Sequence, residues 1–386
     1  MANTLTNLIN EMHMGLDTVS RELVGFIPAV RKDSTADAVA ENETIRFPVV
    51  PSMTAGSIAP AATGPDPDAQ TIGNDTLTIN NFRNVTFYWE GEEQKGLSRS
   101  GTYNTILSNQ FAQAYRTLAN EAETDLAELY KNASRAYGTA GTTPFGTADQ
   151  LDDLSYAVEI LEKNGVPSGA DIHAVLDTRA MANMRGYQGI IFKANEAGSL
   201  GPRATGAVGQ LFNAMLHTSG QVQKHTAGTG ADYDVDFGAG YSSGDTSIHV
   251  DTGTGTFVQG DVITLSGDTS NKYVVKTGFA GDGDGDIVVQ DPGLIQAAAD
   301  NEDVAFSAAY RANMVFDRNA ILLATRVPAM PLGGDNADDV MVVTDPVSGL
   351  SFQVAMYRQY RRVSFEVALA WGVKVIKPEH IALILG

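Results

Sequence analysis

The sequence predicts an α+β protein with a small all-β module inserted into its second half. Three observations lead there. A helical stripe of apolar residues runs from about 108 to 136. Strand-like alternation lies on both sides of it. Residues 226–306 then read as short apolar strands separated by Gly, Asp and Thr turns. That stretch holds 14 Asp and Glu against 2 Lys, a net of −12 within a chain total of −20. A compact acidic module spliced into a larger body, beside long extended segments, describes a subunit that holds neighbours better than it describes a pocket for chemistry.

The composition supports a folded chain. Of 386 residues, 43% are hydrophobic and 19% charged, which is globular and allows two domains plus arms. There is no cysteine, so disulfides and thiolate chemistry are excluded. No run of 18 apolar residues occurs, and the start lacks a basic segment followed by an apolar run, so neither a membrane span nor a secretory signal is expected. A cytosolic origin is the default reading. The acidic balance argues against gripping nucleic acid by phosphate neutralisation.

From the N-terminus, Leu5, Leu8, Met12, Leu16, Val19 and Leu23 recur at three- and four-residue steps and predict an amphipathic helix over 5–24. Residues 45–95 alternate as strands at Ile45–Val49, Leu77–Ile79 and Val85–Trp89, around a turn-rich stretch with Pro51, Pro60, Pro65 and Pro67. This predicts a long two-stranded arm with a loose tip, which needs another surface to rest on. The helix at 108–136 takes Ser108 as its N-cap and carries Phe111, Tyr115, Leu118, Ala122, Leu126, Leu129 and Ala133 on one face. Arg116, Glu121, Glu123 and Lys131 fall on the opposite face.

Thr147 and Gln150 read as a capping box ahead of a helix with Leu151, Leu154, Val158 and Leu161. Asp171–Leu176 reads as a buried strand and Thr178 opens a short helix to Arg185. In the insert, strands are expected at 247–250, 261–265, 273–276 and 287–290, as in a small barrel or sandwich. Afterwards come strands at 314–316, 320–325, 340–344, 351–357 and 363–376, with a hairpin turn at Asp345–Gly349. The closing Ile381–Leu385 is too apolar to be left in water.

Candidate chemistry is sparse. Gly281–Asp286 invites a calcium reading, but the EF-hand positions six and twelve are Ile287 and Gly293, so a solvated turn or contact loop is preferred. The six histidines show no zinc spacing. Asp171 and His173 share a strand face, which could orient an imidazole, yet no nucleophile motif accompanies them. There is no P-loop and no dinucleotide fingerprint. Hence no catalytic residue, metal or cofactor is assigned, and the chain is read as a non-enzyme. Arg358, Arg361 and Arg362, with Lys374 and Lys377, form the local basic patch. It is read as pairing with an acidic surface of another subunit.

The order of segments carries a resemblance. An amphipathic start precedes an arm beginning IRFPVVP, then the helix SNQFAQAYRTLANEAETDLAELYKNASRA. The insert includes VQGDVITLSG, and the chain closes with MVFDRNAILLATRV and VSFEVALAWGVKVIKPEHIALIL. This resembles the major capsid (coat) protein of short-tailed double-stranded DNA bacteriophages, in the family whose coat carries an insertion domain. The resemblance implies a tailed-phage capsid (Johnson) fold: an N-terminal arm at 1–44, an extended β-loop at 45–95 and a peripheral domain at 96–146 with the spine helix. An axial domain would span 147–225, the inserted β-barrel 226–306, and axial and peripheral parts would resume at 307–386. It further implies self-assembly as hexamers and pentamers into an icosahedral procapsid in the host bacterial cytoplasm, with a scaffolding protein and a portal protein as partners and a decoration protein as a further candidate. The shell would then expand around packaged DNA, bound without sequence specificity, and the chain would reside in the virion capsid.

One departure stands out. In the family a long loop of the insertion domain crosses between capsomers, whereas here the candidates are short, about 228–246 or Gly278–Asp286. Asp232, Asp234, Asp282, Asp284 and Asp286 are the residues expected to make such a contact. The runner-up is an encapsulin-like compartment shell; an enzyme with a β-accessory domain and a surface adhesin follow.

Overall fold

The computed structural model describes residues 24–49, 72–99, 101–167, 169–188, 209–281, 283–331, 333–346 and 348–386. The helix expected at 5–24 therefore lies almost entirely outside the described residues, as do the arm's tip at 50–71 and Asp282.

The long helix runs Tyr103–Glu128, about 39 Å at 1.5 Å per residue, not 108–136. It starts earlier because Tyr103 packs edge-on against Trp89, with ring centroids 5.9 Å apart. Ser108 is thus inside the helix and caps nothing. It ends earlier because a sheet captures the chain. A 3-10 turn at Leu129–Asn132 leads into a strand at Arg135–Gly138, which lies parallel to the C-terminal strand Ile381–Leu385. Ladder bonds to a fully buried strand outweigh local helix propensity. The helix buries Ala114, Leu118, Ala119, Ala122 and Leu126. Glu123 is also on that face, 1% exposed, and not on the solvent side. Its carboxylate accepts the backbone N–H groups of Gly25, Phe26 and Ile27 at 2.6, 2.7 and 2.9 Å.

One sheet lies against this helix. Arg31–Val39 pairs parallel with Ile321–Pro328, which pairs antiparallel with the long strand Arg362–Val375. That strand also holds Ser351–Gln359, and Asp339–Thr344 forms the edge beyond. Asn81–Glu90 pairs along Arg362–Trp371. The third strand assigned to the arm thus belongs to this sheet. The cause is an aromatic group in which Phe87, Phe111 and Phe365 meet at 5.1–5.4 Å. Residues Gly91–Arg99, the first five of them also read as arm, are helical. The arm proper is the antiparallel pair Thr44–Val49 and Gly73–Thr78. At its foot Leu77 and Ile79 are buried against Val39, Leu322 and Ala370. Gly372 makes that approach possible: a Cβ there would lie 2.4 Å from the Thr78 carbonyl oxygen.

The second sheet runs from Arg135–Gly138 through Ile381–Leu385, Tyr310–Asp317, Ile172–Asp177 and Ala214–Ser219 to Gln210–Leu211. Helix Asp152–Lys163 covers it. Leu151, not Thr147, is its N-cap, and no side-chain cap bond forms. Thr147 is engaged elsewhere, its carbonyl accepting Gln188 Nε2 at 2.8 Å. The helix Thr178–Tyr187 is capped by Asp177, which accepts Arg179 N–H at 3.3 Å.

Within the acidic insert six strands close into a ring. Val262–Leu265 pairs with Asp303–Phe306, then follow Tyr233–Val235, Ser247–Asp251, Gly285–Val289 and Asp268–Thr277, which pairs back to the first. Every pairing is antiparallel. The interior is apolar, with Tyr233, Val250, Phe257, Ile263 and Ile287. The ring is continuous with the body, because Lys272 and Tyr273 pair with Ala136 and Arg135.

Candidate subunit-contact surfaces

The acidic residues singled out in the insert divide into two groups. Asp232 is exposed, at a turn with φ of 57°. Asp234 follows in the strand Tyr233–Val235, whose other residues point inward. Its register partners are Asp251 on one side and Asp303 on the other. Directly paired residues share a face, so three carboxylates stand side by side on the outside of the ring, an arrangement that repels. Asp234 Oδ2 accepts Thr252 Oγ1 at 3.2 Å.

Asp284 and Asp286 are drawn elsewhere, onto His249. The Asp286 carboxylate lies 2.7 Å from His249 Nδ1, and the Asp284 carboxylate lies 2.7 Å from Nε2. An ionised carboxylate only accepts, so satisfying both at once requires the doubly protonated ring. The hydrogen bond to Asp286, followed by the fields of Asp284, Asp286 and Asp236, holds the imidazole above its ordinary range. Nothing near His249 in the sequence announces this, since the contact arises from the register His249↔Asp286. The two nitrogens point to opposite sides of the ring, which is not a chelate for one ion. Among the described residues no group of three or more His, Asp or Glu could hold a metal.

The basic residues gather at one hairpin tip. Gln359 pairs with Arg362, leaving a two-residue turn of Tyr360 and Arg361. Arg362 sits over the Tyr88 ring at 5.0 Å and bonds Gln359. Arg358 Nε lies 3.5 Å from Asp338, whose carboxylate also accepts the Arg358 N–H at 3.0 Å. Lys374 and Lys377 do not join this patch. Lys374 lies twelve residues along an extended strand, about 40 Å away. There it pairs with Asp75 of the arm and donates to the Thr76 carbonyl at 2.7 Å. The hydrogen bond from Lys374 to Asp75, despite some burial, holds the Asp75 carboxyl below its usual value.

Two buried polar clusters went unrecognised in the sequence. At the base of the insert, His225 Nε2 meets Asp261 Oδ1 at 2.8 Å and its Nδ1 meets the Tyr130 hydroxyl at 2.8 Å. At the body sheet, His173 Nδ1 is 2.9 Å from His217 Nε2. Asp171 and His173 do share a face, yet at 3.1 Å their contact is an ion-pair distance without hydrogen-bond geometry. Asp171 is held by Arg318 at 2.8 Å. Burial lowers both imidazole pKa values. His217, next to His173 and Arg318, falls to about 4. Two neutral rings and an exposed ion pair make a structural bridge between strands.

No family model matches this sequence, and no curated protein matches it. Solved structures do. A capsid chain of the cyanophage P-SCSP1u aligns with a TM-score of 0.52 at 10% identity, covering 98% of this chain and 93% of that one. The capsid of a native GTA particle aligns at 0.47 and 13% identity, over 100% and 95%. A structure of Mycobacterium phage Che8 aligns at 0.45 and 11%, over 99% and 98%. At such identities what is shared is the fold, and over 98% of its length this chain has the fold of the cyanophage P-SCSP1u capsid chain.

Proposed function

We propose that this chain is the structural subunit of an icosahedral phage capsid, assembling as hexamers and pentamers into a procapsid that expands around packaged double-stranded DNA. The observation that carries this is the near full-length fold shared with a cyanophage capsid chain. The arm Thr44–Val49/Gly73–Thr78 supports it, since an isolated two-stranded arm gains burial by lying on a neighbour. In this reading the six-stranded ring is the insertion domain and Tyr103–Glu128 the spine helix. The domain limits follow those the sequence suggests, with 1–44 as N-terminal arm, except that the extended loop closes with Gly73–Thr78, since Asn81–Glu90 belongs to the body sheet. Asp232, Asp234, Asp284 and Asp286 on the ring, Asp282 of the same sequence stretch, and Arg358, Arg361 and Arg362 at the hairpin tip contact other subunits. Scaffolding, portal and decoration proteins are the further partners. The comparisons do not favour the encapsulin-like compartment.

The test is co-expression with and without the neighbouring scaffolding candidate, followed by electron microscopy. Closed shells of uniform diameter are expected. Monomers or small oligomers in both preparations would overturn the reading.

A further inference from the structure

We infer that the hairpin tip Tyr360–Arg362 is a preformed docking knob that seats on a carboxylate-bearing surface of a second copy of this chain, with Tyr360 as its aromatic anchor. This rests on the shell-subunit reading and names the anchor, the partner and the chemistry of one contact within it.

Three observations converge on the tip. The first is exposure. Tyr360 is 92% exposed, against 66% for Ile72, the next most exposed large hydrophobic among the described residues. Tyr and Arg together are the side chains that most often anchor interfaces. The second is backbone conformation. Arg361 adopts φ of 59°, a region that glycine or asparagine enters at less cost. The two-residue turn places Arg361 in that region, so the tip has a defined turn geometry held at some cost in backbone energy. The third is rigidity. The Gly91 N–H donates to the Arg361 carbonyl at 3.1 Å, Tyr88 supports Arg362, and Asp338 fixes Arg358. These contacts order the base of the tip and leave the Tyr360 ring and the Arg361 guanidinium outside. Arg361 makes no ion pair with another described residue. Such preorganisation lowers the entropy lost on docking.

Charge selects the partner. Three arginines lie within five residues of a chain with net charge −20, so a copy of the chain offers mostly carboxylate. Packing copies of so acidic a chain raises their mutual repulsion, and a concentrated cationic knob offsets it locally. Nucleic acid is disfavoured, because the field of the whole chain repels a polyanion and three arginines neutralise few phosphates.

The test uses the full chain in assembled particles. Tyr360→p-benzoylphenylalanine is introduced, particles are irradiated, and crosslinked peptides are mapped. Crosslinks to an Asp- or Glu-bearing peptide of another copy are expected, with the two copies distinguished by isotope labelling. Crosslinks to nucleic acid, to the same copy, or to nothing would overturn the inference while leaving the shell reading intact. In parallel, Arg361→Glu/Arg362→Glu is expected to slow assembly about tenfold at low salt, with the difference shrinking at 1 M salt. Assembly within about twofold of the unaltered chain at low salt would overturn it. Tyr360→Ala, which touches no charge, is expected to weaken assembly at both salt concentrations. Failure of the unaltered chain to form particles is a separate result that removes the shell reading itself.

Discussion

His225 Nε2 lies 2.8 Å from Asp261 Oδ1, and both side chains are almost completely buried, at 3% and 2% exposure. The pair stands where the insert leaves the body. His225 belongs to the short strand that pairs with Tyr310 and Arg311, so it marks both the entry and the exit of the insert. Asp261 also accepts the N–H groups of Gly228 at 2.9 Å and Val258 at 2.8 Å. With Nε2–H donated to the carboxylate, Nδ1 is left to accept the Tyr130 hydroxyl. Asp261→Ala therefore strands several buried donors at once and is expected to cost about 3–5 kcal/mol. Chemical denaturation measures the total, and hydrogen exchange should show the base of the ring opening first. Unchanged protection at Gly228 and Val258 would contradict this.

Glu123 makes a second buried anchor. Its carboxylate receives three backbone N–H groups from the start of the short helix Phe26–Ala29. Glu123→Gln keeps the size but replaces one acceptor oxygen with a donor. A loss of about 1–3 kcal/mol is expected from the N–H left facing it. Equilibrium unfolding of the variant against the unaltered chain decides the matter. Equal stability would mean that water satisfies the freed group.

His217 predicts acid sensitivity. Its folded pKa is lowered from 6.5 to about 4, first by burial and then by His173 and Arg318. The folded state therefore binds this proton less well than the unfolded chain. Its contribution to stability is complete above about 6.5, declines as pH falls below that, and is gone near 4. His217→Gln should flatten the stability profile between these values. An unchanged slope would assign the acid sensitivity to other groups.

His249 works with the opposite sign. Its pKa is raised, so the clamp on Asp284 and Asp286 is complete below the ordinary histidine value and is lost as pH rises through the folded one. The ring is 36% exposed, so the effect on global stability is small, while the local effect is readable. An NMR titration of the His249 ring should give a pKa above 6.5, and Asp286→Asn should bring it down, since Asp286 is the first cause. A value at or below 6.5 in the unaltered chain would show that the clamp does not hold in solution.

Gly372 controls the arm. A Cβ at this position meets the Thr78 carbonyl at 2.4 Å, so Gly372→Ala must displace the foot of the arm or the long strand. Destabilisation of about 1–3 kcal/mol is expected. Faster exchange confined to Leu77 and Ile79 would locate the strain.

Apolar periodicity alone determined much of this protein. It placed the long helix, the buried closing strand and four of the six strands of the insert's ring, missing Tyr233–Val235 and Asp303–Phe306, because each depends on which faces of a local segment are apolar. The same signal failed where tertiary pairing overrode it. Residues 135 and 136 fall within the expected helix, yet the neighbouring strand Ile381–Leu385 draws them into a sheet. Val85, Phe87 and Trp89 alternate like the arm, yet Phe111 and Phe365 claim them for the body. Glu123 reads as a surface charge until its three backbone partners, nearly a hundred residues away, come into view. Charge composition located the acidic insert and the arginine cluster. Only the tertiary structure decided that His249 divides the aspartates into two groups, that Lys374 serves the arm instead of the tip, and that Tyr360 stands outermost. Those outcomes depend on cross-strand register and on contacts between residues distant in sequence, which no local pattern encodes.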